Sequence, residues 1–478
     1  MKKYTETELR GPQTVEELRS SLLATEGSSA REKIASLFDL NTFVEVSAYA
    51  KRGFSDFLST DKSNEFEGVI CGYGAIDGKL VFAFVEDSSR MGGVIDERHA
   101  KKITDLYKLA VSNGAPVIGV FDSNGTDVFQ GTSGLAAYGK IMAAVSSASG
   151  RIPQIAYVSG KCIGTSAAIA SMFDFIIKED AAELYVSSPS LTGVKDAQNN
   201  SVAYSGSAEQ CAAYTKVLIS FLPDNASQGV SVNECSDKLN KKLGELDFAG
   251  EALTAISAIA DNSVFYEIGR DFEDGAVTAF ATVAGVKCGV IANSFNKNEG
   301  RISAAIARKI TKFVNFCDAF SLPVVTLVDS LGLSIDKDNE VNYFAPELAR
   351  LASAYAGATV PKVTVILGHA IGAAFVLLGS KALGADIVYC LNDSEIGALA
   401  AQSGVAFAWD SYITLEETRD DLVEKWKNTV SSPANAAASG EIDDIISTNE
   451  LRARICSALL MLSSKGSFEN IRRKVLPL

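Results

Sequence analysis

The chain has 478 residues, 47% of them hydrophobic and 21% charged, with a formal net charge of −14. This composition describes a globular protein with room for two large cores. The acidic balance argues against a general binder of nucleic acid or acidic membranes, while leaving room for a local basic groove.

Residues 1–30 read as a polar helical lead-in, and MKKYTETELRGPQ at its start lacks an apolar h-region. No run of 18 apolar residues follows, so the sequence predicts neither export nor a membrane span, but a cytoplasmic protein. AREKIASLFDLNTFVEV (30–46) reads as a helix, a turn at Asp39 to Thr42 and the start of a strand. GVICGYGAIDGKLVFAFVED (68–87) reads as two apolar strands joined at Asp77-Gly78, a strong hairpin signal. Its Gly72, Gly74 and Gly78 miss a dinucleotide fingerprint by one residue and open no helix, so they are read as hairpin glycines.

KKITDLYKLAVSNGAPVIGVFDSNG (101–125) then gives an amphipathic helix, a loop and a buried strand. Ala100, Ile103, Tyr107 and Ala110 recur at helical spacing, and Val117 to Phe121 form a continuous apolar run. The same stretch returns as RKITKFVNFCDAFSLPVVTLVDSLG (308–332), with 8 of 25 positions identical at an offset of 308 − 101 = 207. RIPQIAYVSGKCIGTSAAIAS (151–171) returns as VPKVTVILGHAIGAAFVLLGS (360–380), where Pro153, Gly160 and Gly164 become Pro361, Gly368 and Gly372, an offset of 208. TAFATVAGVKCGVIAN (278–293) echoes the hairpin, with Gly285 standing 207 after Gly78. The chain is therefore read as two copies of one unit, each an α/β domain with a largely parallel sheet covered on both faces. The boundary is placed between 240 and 241. Residues 194–262 are read as a helical connection, and the tail from about 410 as helical packing and oligomerisation elements.

Chemistry is scarce among the side chains. His99 and His369 are the only histidines, no GxSxG or P-loop exists, and the eight cysteines form no CxxC. Both histidines are read as structural or peripheral, the thiols as reduced core residues, and no metal site is expected. What remains is a small-residue turn from strand to helix, carried twice: Gly160-Lys161-Cys162-Ile163-Gly164-Thr165-Ser166 and Gly368-His369-Ala370-Ile371-Gly372-Ala373-Ala374. Free N–H groups at such turns suit an oxyanion or enolate; small residues that let helix and strand approach closely would look the same.

These blocks, taken in order, resemble the carboxyltransferase subunits of biotin-dependent acyl-CoA carboxylases and decarboxylases, over roughly residues 30–460. The resemblance also rests on GGVIDERHAKKI, GVIANSFNKNEGRIS, SKALGADIVY and AAASGEIDDII. It implies two tandem ClpP/crotonase-like ββα domains, an acyl-CoA side (1–240) and a biotin side (241–478). Carboxybiotin and acyl-CoA would meet between one subunit's N-terminal domain and another's C-terminal domain, with no protein general base. The amides at Gly164 and Thr165 would hold the thioester enolate oxygen, and those at Ala373 and Ala374 the biotin ureido oxygen. Gly125, Gly160, Gly372 and Val376 would lie beside the bound groups.

The implied partners are a biotin carboxyl carrier protein, a biotin carboxylase or membrane decarboxylase subunit, and further copies of the chain in a hexamer. No Met-Lys-Met attachment site is present, so biotin is expected on a separate carrier. Thr165 and Ala373 stand where the family has glycine, and Asp127 and Val376 where it has an arginine and an acid. The segment after Ser188-Pro189 is also shorter. These departures motivate an alternative, a non-catalytic subunit assembling with an active paralogue. A third reading, a hydratase or isomerase, needs a carboxylate at the turn, and Asp122 and Asp329 repeat too symmetrically to favour it.

Overall fold

A computed structural model describes residues 14–23, 27–51, 66–194, 202–228, 232, 234–235, 237–244, 248, 250–341, 343–414 and 417–465. The first 13 residues of the polar lead-in lie outside that set. The chain divides into two compact units, residues 1–228 and 229–478.

Each unit is built on an eight-stranded mixed sheet. The first comprises β1 (Val44–Val46), β2 (Val69–Ile76), β3 (Lys79–Glu86), β4 (Val117–Ser123), β5 (Gln154–Ile163), β6 (Phe175–Glu179), β7 (Glu183–Tyr185) and β8 (Val202–Gly206). Their order is β1-β2-β3-β4-β5-β6-β8, with β7 pairing β5. The second comprises β9 (Phe265–Ile268), β10 (Ala276–Val283), β11 (Val286–Asn293), β12 (Val324–Ser330), β13 (Lys362–Ile371), β14 (Ile387–Leu391), β15 (Glu395–Gly397) and β16 (Asp444–Ile446). Their order is β9-β10-β11-β12-β13-β14-β16, with β15 pairing β13.

The hairpin strands pair antiparallel and the strands after them parallel. The parallel strands are apolar along their length because both faces are covered. Val117, Ile118 and Val120 of β4 and Val324, Val325 and Leu327 of β12 have no measurable exposure. Helix Glu97–Asn113 buries Ala100, Ile103, Leu106, Tyr107 and Ala110 against the first sheet. It starts on Asp96, whose side chain accepts the His99 N–H, and ends on Gly114 at φ 62°.

The repeat extends to backbone geometry. Asp77 and Ala284 (φ 48° and 55°), Gly78 and Gly285 (75° and 77°), Gly93 and Gly300 (65° and 65°), and Gly125 and Gly332 (109° and 116°) are all left-handed pairs 207 apart. The ladders slip at matching places, between Phe121 and Ser123 and between Val328 and Ser330. Buried Lys102 donates to the Val69 carbonyl, and Lys309, 207 later, to those of Gly269, Phe272 and Ala276. The identical Lys-Ile-Thr therefore marks a shared means of satisfying strand-end carbonyls.

Two expectations differ from the structure. The connection read as helical contains β8, which pairs with β6 at the sheet edge, before helix Ala208–Phe221. The described stretch 237–244 holds no helix. In the tail, Asp444–Ile446 forms β16 beside β14; three residues are too short for periodicity to declare a strand.

Candidate active site

Both small-residue turns stand at the C-terminal ends of parallel strands, where open α/β sheets place ligands. The last residues of β5 leave β6 and pair instead with β7: Lys161 opposite Glu183, Cys162 opposite Leu184, Ile163 opposite Tyr185. β13 does the same with β15, His369 through Ile371 opposite Glu395 through Gly397. At the end of each short ladder the chain turns on a glycine. Gly164 has φ 59° and ψ −123°, Gly372 φ 58° and ψ −131°. This region is essentially reserved for glycine. Helices Thr165–Ser171 and Ala373–Leu377 begin at the next residue.

The amide at each glycine is already used. Gly164 N–H donates to the Tyr185 carbonyl at 2.9 Å, and Gly372 N–H to the Gly397 carbonyl at 2.8 Å. This corrects the expectation that Gly164 itself donates to a ligand: it supplies the turn conformation. The first-turn amides, which have no intrahelical acceptor, are those of Thr165 and Ser166 in one unit and Ala373 and Ala374 in the other; Ser166 and Ala374 are fully buried, which leaves Thr165 and Ala373 as the amides open to a ligand. Thr165 is exposed, Ala373 half-buried and Ala374 buried. Val376 is 43% exposed on its short helix.

Gly160 and Gly368 have another purpose. A Cβ on Gly160 would lie 2.0 Å from Asp122 Oδ1, and one on Gly368 2.6 Å from Asp329 Oδ1. Each glycine admits an aspartate that accepts the next backbone N–H, Lys161 at 3.1 Å and His369 at 2.8 Å. The two aspartates therefore hold the strand leading into each turn. Gly125 N–H donates to Ser123 Oγ at 3.1 Å and its carbonyl accepts the Ile95 N–H at 2.8 Å, fixing the loop after β4.

Side chains around the cradles differ. Lys161 Nζ donates to Asn124 Oδ1 at 3.1 Å and is exposed. His369 Nδ1 lies 2.8 Å from Asp329 Oδ1, and its ring stacks on Phe295 at 4.5 Å between centroids and 15° between planes. His369 is thus held beside the second turn; its partnership with Asp329, 40 residues earlier, is not visible in the sequence. Asp127 is buried with Asp96, their carboxylates sharing Gln130 Nε2 at 3.3 and 3.1 Å. His99 is fully buried, with Glu67 and Glu86 oxygens at 3.7 and 3.8 Å. Burial pushes the Glu86 carboxyl up to about 8, partly offset by the Asp122 N–H it accepts at 2.9 Å.

Burial pushes the Cys71 thiol up to about 12, and all eight cysteines are free. Seven of them are buried, all but Cys235, and buried thiols in apolar surroundings are inert rather than nucleophilic. No grouping suited to a metal ion occurs among the described residues, and no helix among them is long and apolar enough to cross a membrane.

The family model of the carboxyl transferase domain matches residues 25–475. The chain belongs to the carboxyl transferase family. It is 33% identical to methylmalonyl-CoA decarboxylase subunit alpha of Veillonella parvula, over 91% of this chain and 90% of that protein. It is 32% identical to the mitochondrial propionyl-CoA carboxylase beta chain of Rattus norvegicus, over 91% and 85%. The structure superposes on transcarboxylase 12S, solved as a hexamer with methylmalonyl-coenzyme A and methylmalonic acid bound. The TM-score is 0.88 at 28% identity, covering 98% of both chains. The two sheets are thus those of a two-domain carboxyltransferase, as the doubled sequence suggested.

Proposed function

We propose that this carboxyltransferase moves a carboxyl group between biotin on a separate carrier protein and a short acyl-CoA of the propionyl/methylmalonyl class. The observation that carries the reading is the pair of glycine turns, one per unit, each presenting uncharged main-chain donors at the C-terminal edge of its sheet. The relatives' names supply the substrate class.

In the first unit, the Thr165 amide would face the thioester oxygen as negative charge develops on it. A donor so placed contributes about 2.7–4 kcal/mol, or 10²–10³ in turnover. In the second unit, the Ala373 amide would hold a ureido oxygen, with Ala374, expected beside it, buried behind the turn. The residues fit that group: the donor is neutral, and the helix it opens carries apolar Phe375 and Val376. When bound, biotin supplies the nitrogen that carries the carboxyl group. Thr165 and Ala373 add Cβ atoms at the turns but keep their N–H groups, and Asp127, buried on Gln130, adds no exposed charge.

Those two Cβ atoms favour the second reading, a carboxyltransferase-like subunit that assembles with an active paralogue. Both readings accommodate a homo-oligomer, expected as a hexamer. One experiment separates them. The purified oligomer is incubated with free biotin and malonyl-CoA, methylmalonyl-CoA or glutaconyl-CoA, and loss of the CoA-bound carboxyl is followed. Biotin-dependent loss is the expected result; a folded oligomer inert to all three would establish the second reading.

A further inference from the structure

Three residues from different strand ends converge beside the second turn. Phe295 follows β11, Asp329 is the next-to-last residue of β12 and His369 lies near the end of β13, three residues before Gly372. That is at most about 10 Å of extended chain. Asp329 Oδ1 accepts the backbone N–H and faces the Nδ1 of His369, each at 2.8 Å. A carboxylate in that position accepts a hydrogen bond from Nδ1–H, the tautomer whose Nε2 is an acceptor. Stacking on Phe295 sets the ring plane. The side chain remains 30% exposed, and Nε2 has no hydrogen-bond partner among the described residues. The outcome is an oriented acceptor on the same sheet edge as the main-chain donor at Ala373.

The first unit shows that the repeat does not require this arrangement. At 88 = 295 − 207 stands Ser88, which hydrogen-bonds to Asp122, and at 161 = 369 − 208 stands Lys161, an exposed cation. The shared cradle therefore holds a donor in one half and an oriented acceptor in the other.

We infer that His369 is a positioning residue that recognises a ring N–H of a cyclic urea at the second turn. This rests on the reading that this turn takes biotin. A cyclic urea carries an N–H on either side of its carbonyl, so a main-chain donor at Ala373 and an acceptor at His369 Nε2 are complementary in kind to its oxygen and an adjacent N–H. A carboxylate or phosphate ligand has no such N–H to offer.

The test measures binding of free biotin, 2-imidazolidinone and 1,3-dimethyl-2-imidazolidinone to the intact oligomer by ligand-observed NMR. The dimethyl compound keeps the oxygen and lacks both N–H groups. His369→Asn retains an atom that can bond Asp329 and removes the outward one; His369→Gln places an amide oxygen where Nε2 was. The native protein should prefer imidazolidinone to its dimethyl form by about three- to tenfold, the worth of one hydrogen bond. That preference should vanish in His369→Asn and return in part in His369→Gln, with thermal unfolding unchanged in both. Native protein that binds biotin with the same preference in all three forms overturns the inference alone. Native protein that binds none of the three probes overturns the biotin reading with it.

Discussion

The two units share a skeleton and differ in nearly everything attached to it. Ser88, Asp122 and Lys161 in the first correspond to Phe295, Asp329 and His369 in the second, and the aspartate alone is kept. Glu86, buried beside His99, corresponds to Asn293, and His99 to Ile306. Asp39, half-buried, accepts the Asp77 and Gly78 amides of the first hairpin. Asp261 accepts those of Ala284 and Gly285 in the second, and is in turn gripped by fully buried Arg452. Positions that set the direction of the backbone are held in common, while positions that set polarity have diverged. This is the pattern expected when one fold serves two different ligands.

The largest expected break in this symmetry is at Arg452, whose guanidinium also donates to the Ile259 and Lys238 carbonyls. Arg452→Ala strands Asp261 in the interior and should cost about 3–5 kcal/mol in denaturant unfolding. Asp39→Ala removes a more exposed clamp and should cost about 0.5–1.5 kcal/mol. Equal costs would mean that the two clamps are equivalent.

Next come the turns. Gly164→Ala and Gly372→Ala force a Cβ into a backbone region that L-residues avoid, which should lower turnover about 100-fold or more. The Gly164 variant is expected to spare biotin binding and the Gly372 variant acyl-CoA binding. Steady-state kinetics with each substrate varied in turn would show whether the losses divide that way. Smaller again are Gly160→Ala and Gly368→Ala, which press a methyl against Asp122 or Asp329. Each should destabilise by about 1–3 kcal/mol, the first more, because its contact is shorter.

The last comparison concerns pH. The Glu86 carboxyl, ordinarily near 4.5, is held up to about 8 by burial, so the folded protein keeps a proton that the unfolded chain releases between those values. Its contribution to stability therefore falls as pH rises from about 4.5 through about 8. Glu86→Gln should flatten the profile of melting temperature against pH in that window. Asn293→Asp, at the buried counterpart, should steepen it. A Glu86→Gln profile parallel to that of the native protein would show that Glu86 carries no such linkage.

Much of this architecture was legible in the sequence because repeated residues do repeated mechanical work. Asp77-Gly78 declared the first hairpin, the helical spacing of Ala100 to Ala110 declared a buried face, and Lys102 and Lys309 matched because both satisfy strand ends. The two glycine turns were legible for the same reason. β8 and β16 were missed because strands of five and three residues at a sheet edge carry little pattern. The spent amide of Gly164 was illegible because its acceptor, the Tyr185 carbonyl, is main chain and leaves no mark in composition. The surroundings of His369 were illegible because its neighbours Phe295 and Asp329 join it only through the sheet order.

That spent amide has a wider consequence. Anchoring Gly164 to β7 and Gly372 to β15 fixes the peptide plane that follows, so the next N–H is aimed before any ligand arrives. A group aimed by the main chain is indifferent to its own side chain. On the proposed reading, threonine at 165 and alanine at 373 leave that direction unchanged, and the walls beside each turn can vary while the amides stay put.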